Sequence, residues 1–254
     1  MKMDKKAKIK KKGKINKVKK NELQDDLRIP PRKPVWNIWQ GFFLIALVTL
    51  IEYPLGWLET PKGLDSMQGI LNFIGVGIGE VLLYFAVIWI FLRLIRRPLS
   101  ELGFVKPLKR YIVLGFIIGV FLFLSIGLLG NLLTHLLGTP PPQSFAAAVN
   151  GANFWELCLL MILGSIIAPI KEEMLFRGLI YPPLRKALGR SKGMIVTGLF
   201  FAGLHFDLVR LLPLFIGGVI LTWLYERSSS IWPSIVAHGT WNGLMAIALL
   251  IQRF

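Results

Sequence analysis

Cysteine is nearly absent from this chain. Cys158 is the one thiol in 254 residues, so an internal disulfide and a cysteine-based zinc cluster are both excluded, and cysteine usage says nothing about compartment. Cys158 sits in an apolar run with no activating group near it in sequence, which suits an inert buried thiol better than a nucleophile. Acidic residues are scarce: 14 Asp and Glu stand against 30 Lys and Arg. Histidine occurs three times, and no HExxH places two of them on one helix face for zinc. No aspartate lies deep in an apolar run, and Asp207 comes nearest. Ser125, Ser165 and Ser234 lie in such runs, but none has a GxSxG setting, and small hydroxyls there usually serve packing. No internal repeat is evident, which leaves an inverted-repeat transporter without support. The lysine-rich N-terminus is not followed by a short apolar stretch and a small-residue cleavage site, so the first apolar run is expected to act as an uncleaved insertion signal.

Apolar residues are what the chain has in abundance. They make up 54% of it, with only 17% charged and a mean hydropathy of +0.59. A soluble domain of this length needs more polar surface, and several runs approach the ~20 residues that cross a hydrocarbon core. The expected fold is all-α, a polytopic transmembrane helix bundle of about seven spans near 36–58, 70–92, 111–137, 154–175, 193–209, 211–226 and 232–251. Residues 1–34 form a basic tail with fourteen Lys/Arg and four Asp/Glu. Without a folded module or interleaved aromatics this tail suits anionic lipid headgroups rather than nucleic acid. Residues 35–149 form an N-terminal set of transmembrane helices, and 150–254 a C-terminal core. "GTPPPQSFAAAVNGAN", uncharged and rich in Pro and Ala, reads as a loop.

Lys and Arg set the orientation. With the tail in the cytoplasm, the clusters at 93–97, 106–110 and 185–192 all fall inside, and only Lys62, Arg210 and Arg253 fall outside. The expectation is a multi-pass protein of the cell membrane with its N-terminus cytoplasmic and its C-terminus outside.

Against this background "KEEMLFRG", residues 171–178, is anomalous, because a charged side chain in a span costs ~2.5–3.5 kcal/mol. Glu52, Glu59, Glu226 and Arg227 lie near span ends and read as interfacial. Glu80 lies deep in the second span, where it either pairs with a site residue or is protonated. His135 ends the third span beside a Gly-Thr-Pro loop and suits capping or an interfacial place. His205 and His238 lie within apolar helices. With Glu172, Glu173, Arg177 and Asn242 they make a constellation within the last hundred residues.

Helix geometry divides the work among them. Glu172 and Glu173 are ~100° apart around the axis and cannot face one point. Glu173 and Arg177 are i,i+4 with the acid first, the favoured order for an ion pair. That leaves Glu172 free to point into the bundle as a general base or acid. His238 and Asn242 share one face of the last span, as donors to an oxyanion must. Zinc held by Glu172, His205 and His238 is a chemically possible alternative.

These residues resemble a known family. "EEMLFR" is similar to the EExxxR motif of the CPBP group (CAAX prenyl protease and bacteriocin-processing, or Abi, membrane proteases). "FAGLH", Phe201 to His205, resembles its FxxxH motif, and "HGTWN", His238 to Asn242, its HxxxN motif, in the family's order over about residues 150–250. The resemblance implies a glutamate-dependent intramembrane endopeptidase, and the missing HExxH, with Glu172 and His205 available to polarise water, predicts no metal or other cofactor. Glu172 and His205 would activate water, His238 and Asn242 would hold the oxyanion, and Glu173, Arg177 and Phe201 would support them. The substrate would be a membrane-associated or lipid-modified peptide or protein. A non-catalytic membrane regulator or immunity scaffold is the rival reading, though a scaffold need not keep six buried polar residues.

The site is expected to open toward the cytoplasm. His205 fits this least well: twelve residues from position 193 carry it ~18 Å inward, past the midplane of a ~30 Å core. A tilted or broken fifth span, or a fourth helix running on towards Pro182, would bring the three groups level.

Overall fold

The structure, a computed structural model, describes residues 36–56, 64, 66–138 and 143–253. The basic tail, Glu59, Lys62 and the side chains of Glu52 and Arg253 lie outside the described residues. Among those described there is no strand. The order is α1 (Ile38–Gly56), α2 (Met67–Leu94), a short 3-10 turn (Leu99–Leu102), α3 (Lys109–Leu137), α4 (Ser144–Gly151), α5 (Phe154–Leu188), α6 (Arg190–Gly203), α7 (Leu211–Ser228) and α8 (Trp232–Arg253).

Four of these helices are long and apolar enough to cross a bilayer: α2, α3, α5 and Trp232–Gln252 of α8. The protein is an all-α, multi-pass membrane bundle, but a count of seven spans does not follow from it. The expected fifth span, 193–209, breaks early. Its helix closes at Gly203, Phe206 takes a left-handed φ of +50°, and its 14 residues reach only ~21 Å. The expected loop also departs from its reading. Ser144–Gly151 coils into α4, because a run of alanines is the best of helix formers once the prolines have passed.

The centre post is α5. It opens with a capping box: the Asn153 side chain accepts from the Trp155 and Glu156 amides, and Glu156 accepts from the Asn153 amide. It then runs 35 residues through Pro169, Pro182 and Pro183. A proline inside a helix removes an N–H and crowds the preceding turn. Here the backbone widens into two π-helical stretches, Leu163–Ile167 and Met174–Ile180. Carbonyls that lose their helical donors find others: the Trp36 indole N–H donates to the Leu179 carbonyl, 2.7 Å away. Every residue from 173 to 184 is buried, including Met174, Leu179 and Leu184, so this half of α5 is enclosed on all sides.

Small residues let the other helices approach it. A Cβ on Gly119 would stand 2.5 Å from the Ala237 carbonyl oxygen, and one on Gly239 would stand 2.5 Å from the Ser165 carbonyl oxygen. These contacts press α3 against α8 and α8 against α5. Gly119→Ala is therefore expected to lower the melting temperature in detergent, at a cost of ~1–3 kcal/mol for overpacking. Gly130→Ala, on the same helix with nothing within 4 Å, should be neutral or slightly stabilising. Equal melting of the two variants would refute this packing.

Candidate active site

The π-helical turn after Glu173 aims its neighbours inward. Arg177 Nη1 donates to Glu173 Oε1 at 2.7 Å, and both side chains are fully buried. Arg177 Nη2 donates to the Gly218 carbonyl of α7 at 3.0 Å, and the guanidinium lies 4.9 Å from the centre of the Phe201 ring. The ion pair is thus tied to α6 and α7, which a buried charge requires. Spacing alone gave the Glu173–Arg177 pair. It did not give the third member: His238 Nδ1 also lies on Glu173 Oε1, at 2.9 Å. A carboxylate paired with a guanidinium is an acceptor, so His238 Nδ1 carries the hydrogen. Its Nε2 then faces Glu172 Oε2 at 3.8 Å, too far for a direct hydrogen bond.

Glu172 Oε2 is buried and takes no hydrogen bond among the described residues. Its electrostatic partners are His238, His205, Lys171 and Arg177. His205 Nδ1 lies 2.7 Å from the Phe201 carbonyl. A carbonyl can only accept, so Nδ1 carries a hydrogen, and in the neutral tautomer that does so the lone pair is on Nε2. Phe201 packs against both histidines, with ring centroids 5.0 Å from His205 and 5.7 Å from His238.

The length of α5 accounts for how these groups meet. By helix rise, Glu172 is ~24 Å from Leu188 and His205 is ~22 Å from Arg190, and only Gly189 separates those two ends. His238 is ~9 Å from the start of α8. The α5–α6 hairpin therefore overshoots the start of α8 by more than ~10 Å, and His205 comes level with the glutamate.

Asn242 is placed differently from a simple oxyanion donor. Its Nδ2 donates to the Gly164 carbonyl at 3.0 Å. The π turn gives the Ala168 amide to Leu163, and Pro169 has no amide to give, so Asn242 supplies what Gly164 lacks. One N–H of its amide is spent on this bond and the second is not. Pro169, three residues before Glu172, is the sequence signal for such an orphaned carbonyl.

Two other clusters gather charges. Lys171 Nζ lies 3.5 Å from Glu80 Oε2 and 4.7 Å from the Tyr84 ring centre, so Glu80 pairs with the residue beside Glu172. Glu226, read as interfacial, accepts from Tyr181 Oη at 2.8 Å and Arg185 Nε at 2.8 Å, with Arg190 Nε at 3.6 Å. It pins the α5–α6 hairpin to α7. Asp207 pairs with Arg210 in the α6–α7 turn, Arg227 lies over Trp223, and His135 is exposed at the end of α3. Cys158 is free. Among the described residues, no group of three or more His, Cys, Asp or Glu is placed to hold a metal ion.

Comparison with known proteins meets this geometry at the same helices. Residues 154–244 match the family described as Type II CAAX prenyl endopeptidase Rce1-like, a segment that begins with α5 and contains every residue of the cluster. The match falls on the same segment as the three CPBP-like motifs, and it supports a membrane protease of that kind. The chain is 25% identical over 229 residues to the Bacillus subtilis (strain 168) protein named "Putative membrane peptidase YdiL", covering 86% of this chain and 90% of that protein. It is 34% identical over 101 residues to the UPF0177 protein YxdF of Lactococcus lactis subsp. lactis (strain IL1403), covering 39% of this chain and 55% of that protein. No solved structure matches it at a significant level.

Proposed function

We propose that this membrane protease is a glutamate-dependent intramembrane endopeptidase that hydrolyses a peptide bond of a membrane-associated or lipid-modified peptide or protein. One observation carries the reading: Glu172, a carboxylate with a buried oxygen that takes no hydrogen bond among the described residues, stands 3.8 Å from His238 Nε2. A water bound to that oxygen would lie against a carboxylate able to take its proton.

In this mechanism Glu172 Oε2 orients a water and takes its proton, with His205 Nε2 as the second acceptor. The hydroxide attacks the scissile carbonyl carbon. With a hydrogen on each nitrogen, His238 donates Nδ1–H to Glu173 and Nε2–H to the developing oxyanion, joined by the second N–H of Asn242. The carbon–nitrogen bond then breaks, and the proton held by Glu172 passes to the departing amine. Glu173 and Arg177 fix the His238 ring, and Phe201 fixes both histidines. With the N-terminus cytoplasmic, substrate reaches the site from the cytoplasm or between helices.

The test is a comparison of new peptide N-termini in membranes of cells carrying the native chain or Glu172→Gln. Termini found only with the native chain identify substrates, and an identical set in both would favour a non-catalytic regulator. The same chemistry requires no metal. Activity of the purified protein should survive exhaustive chelation, and elemental analysis should find substoichiometric zinc. Stoichiometric zinc that leaves and returns with activity would put the histidines to a different use.

A further inference from the structure

Behind the site, on the opposite side of α5, is an apolar recess of about 330 Å³ lined by Phe85, Ala86, Ile88, Trp89, Leu99 and Met174. Met174 follows Glu172 by two residues, ~200° around the helix, so the recess cannot deliver a peptide to Glu172. Its mouth is basic. Arg93 lies over the ring of Trp89, 5.4 Å from its centre, and Arg96 and Arg97 follow within a turn. Among the described residues none of the three arginines has a carboxylate partner.

Arg96 is held against backbone preference. Its φ is +54°, in the left-handed turn that ends α2, where the Arg97 amide donates to the Leu92 carbonyl at 2.8 Å. Glycine suits that position without strain, and arginine does not. A strained residue whose charge has no carboxylate partner among the described residues is evidence of use beyond the turn itself. We propose that the recess and this turn form a binding site for an anionic phospholipid, one acyl chain lying against Phe85 and Trp89 and the phosphate held by Arg93 with Arg96 and Arg97. The charge pattern favours a lipid over a second protein: an apolar slot with arginines at one rim matches a chain ending in a phosphate, at the level where basic residues and tryptophan meet headgroups.

The test uses the full chain in vesicles containing a phosphatidylglycerol with a photoreactive group midway along one acyl chain. Crosslinks are mapped by mass spectrometry, and an equivalent phosphatidylcholine probe serves as control. Crosslinks are expected to concentrate on residues 85–99, at roughly tenfold higher yield with the anionic lipid. Arg96→Gly relieves the backbone strain, so its fold should be at least as stable while the preference falls. Arg93→Gln should reduce it further, and Ala86→Phe should fill the recess and suppress crosslinking there with both lipids. The basic tail is common to every variant and cannot create these differences. Even labelling along all lipid-facing helices, or a preference for the anionic lipid that survives Arg93→Gln and Arg96→Gly together, would overturn the proposal.

Discussion

Glu172→Gln is expected to abolish cleavage while leaving the protein folded. Glutamine keeps the size and polarity of the side chain and removes the group that takes a proton from water. A positioned acid–base group contributes ~10²–10⁴-fold, and here one residue serves as base and then acid, so the loss should reach the upper end of that range or exceed it. Folding should be nearly indifferent. Glu172 Oε2 makes no hydrogen bond among the described residues, and its distance to His238 Nε2 is 3.8 Å. Glu173→Gln should differ from it in folding. Glu173 Oε1 joins Arg177 at 2.7 Å to His238 at 2.9 Å, so removing its charge leaves a buried guanidinium uncompensated and should cost folded yield. Initial cleavage rates in detergent, each set beside a melting curve, separate the two. A Glu173→Gln protein that folds well and is dead, beside an active Glu172→Gln protein, would reverse the assignment.

What the sequence disclosed here was local, and what it hid depended on three dimensions. The Glu173–Arg177 pair follows from i,i+4 spacing, and charges in an apolar chain marked the region because they are expensive there. The helical membrane class follows from hydropathy in the same way. The length of α5 did not. The fourth span reads as ending near residue 175, yet the helix continues through prolines at 182 and 183 as it does through Pro169, by widening and by borrowing donors from Trp36 and Asn242. That one misjudged length made His205 look too deep. Glu226 was set aside for a related reason. Its place near a span end suggested lipid headgroups, while its partners Tyr181 and Arg185 are more than 40 positions away. The bond from His238 to Glu173, 65 residues apart, had no trace in spacing at all, and it turns Glu173 from the partner of one residue into the partner of two.

That shared carboxylate makes Arg177 the residue where stability and activity can be pulled apart. Arg177→Met leaves Glu173 buried, with its oxygen facing only a histidine. Breaking a buried pair from one side costs ~3–5 kcal/mol, a large part of the stability of a typical domain, so little folded protein should be recovered. Glu173→Met combined with Arg177→Met removes both charges and fills the space with apolar atoms. Such replacements are often neutral or stabilising, and the Gly218 carbonyl that loses Arg177 still accepts from Thr222 Oγ1 at 2.7 Å. Melting of the double variant should therefore return most of the way to that of the native protein. Cleavage should not return, because His238 Nδ1 has lost its acceptor and the ring is free to turn its Nε2 away from Glu172. A single variant that melts like the native protein would show that the pair does not hold the bundle. A double variant with full activity would show that His238 needs no carboxylate behind it, and the positioning role given to Glu173 would fall.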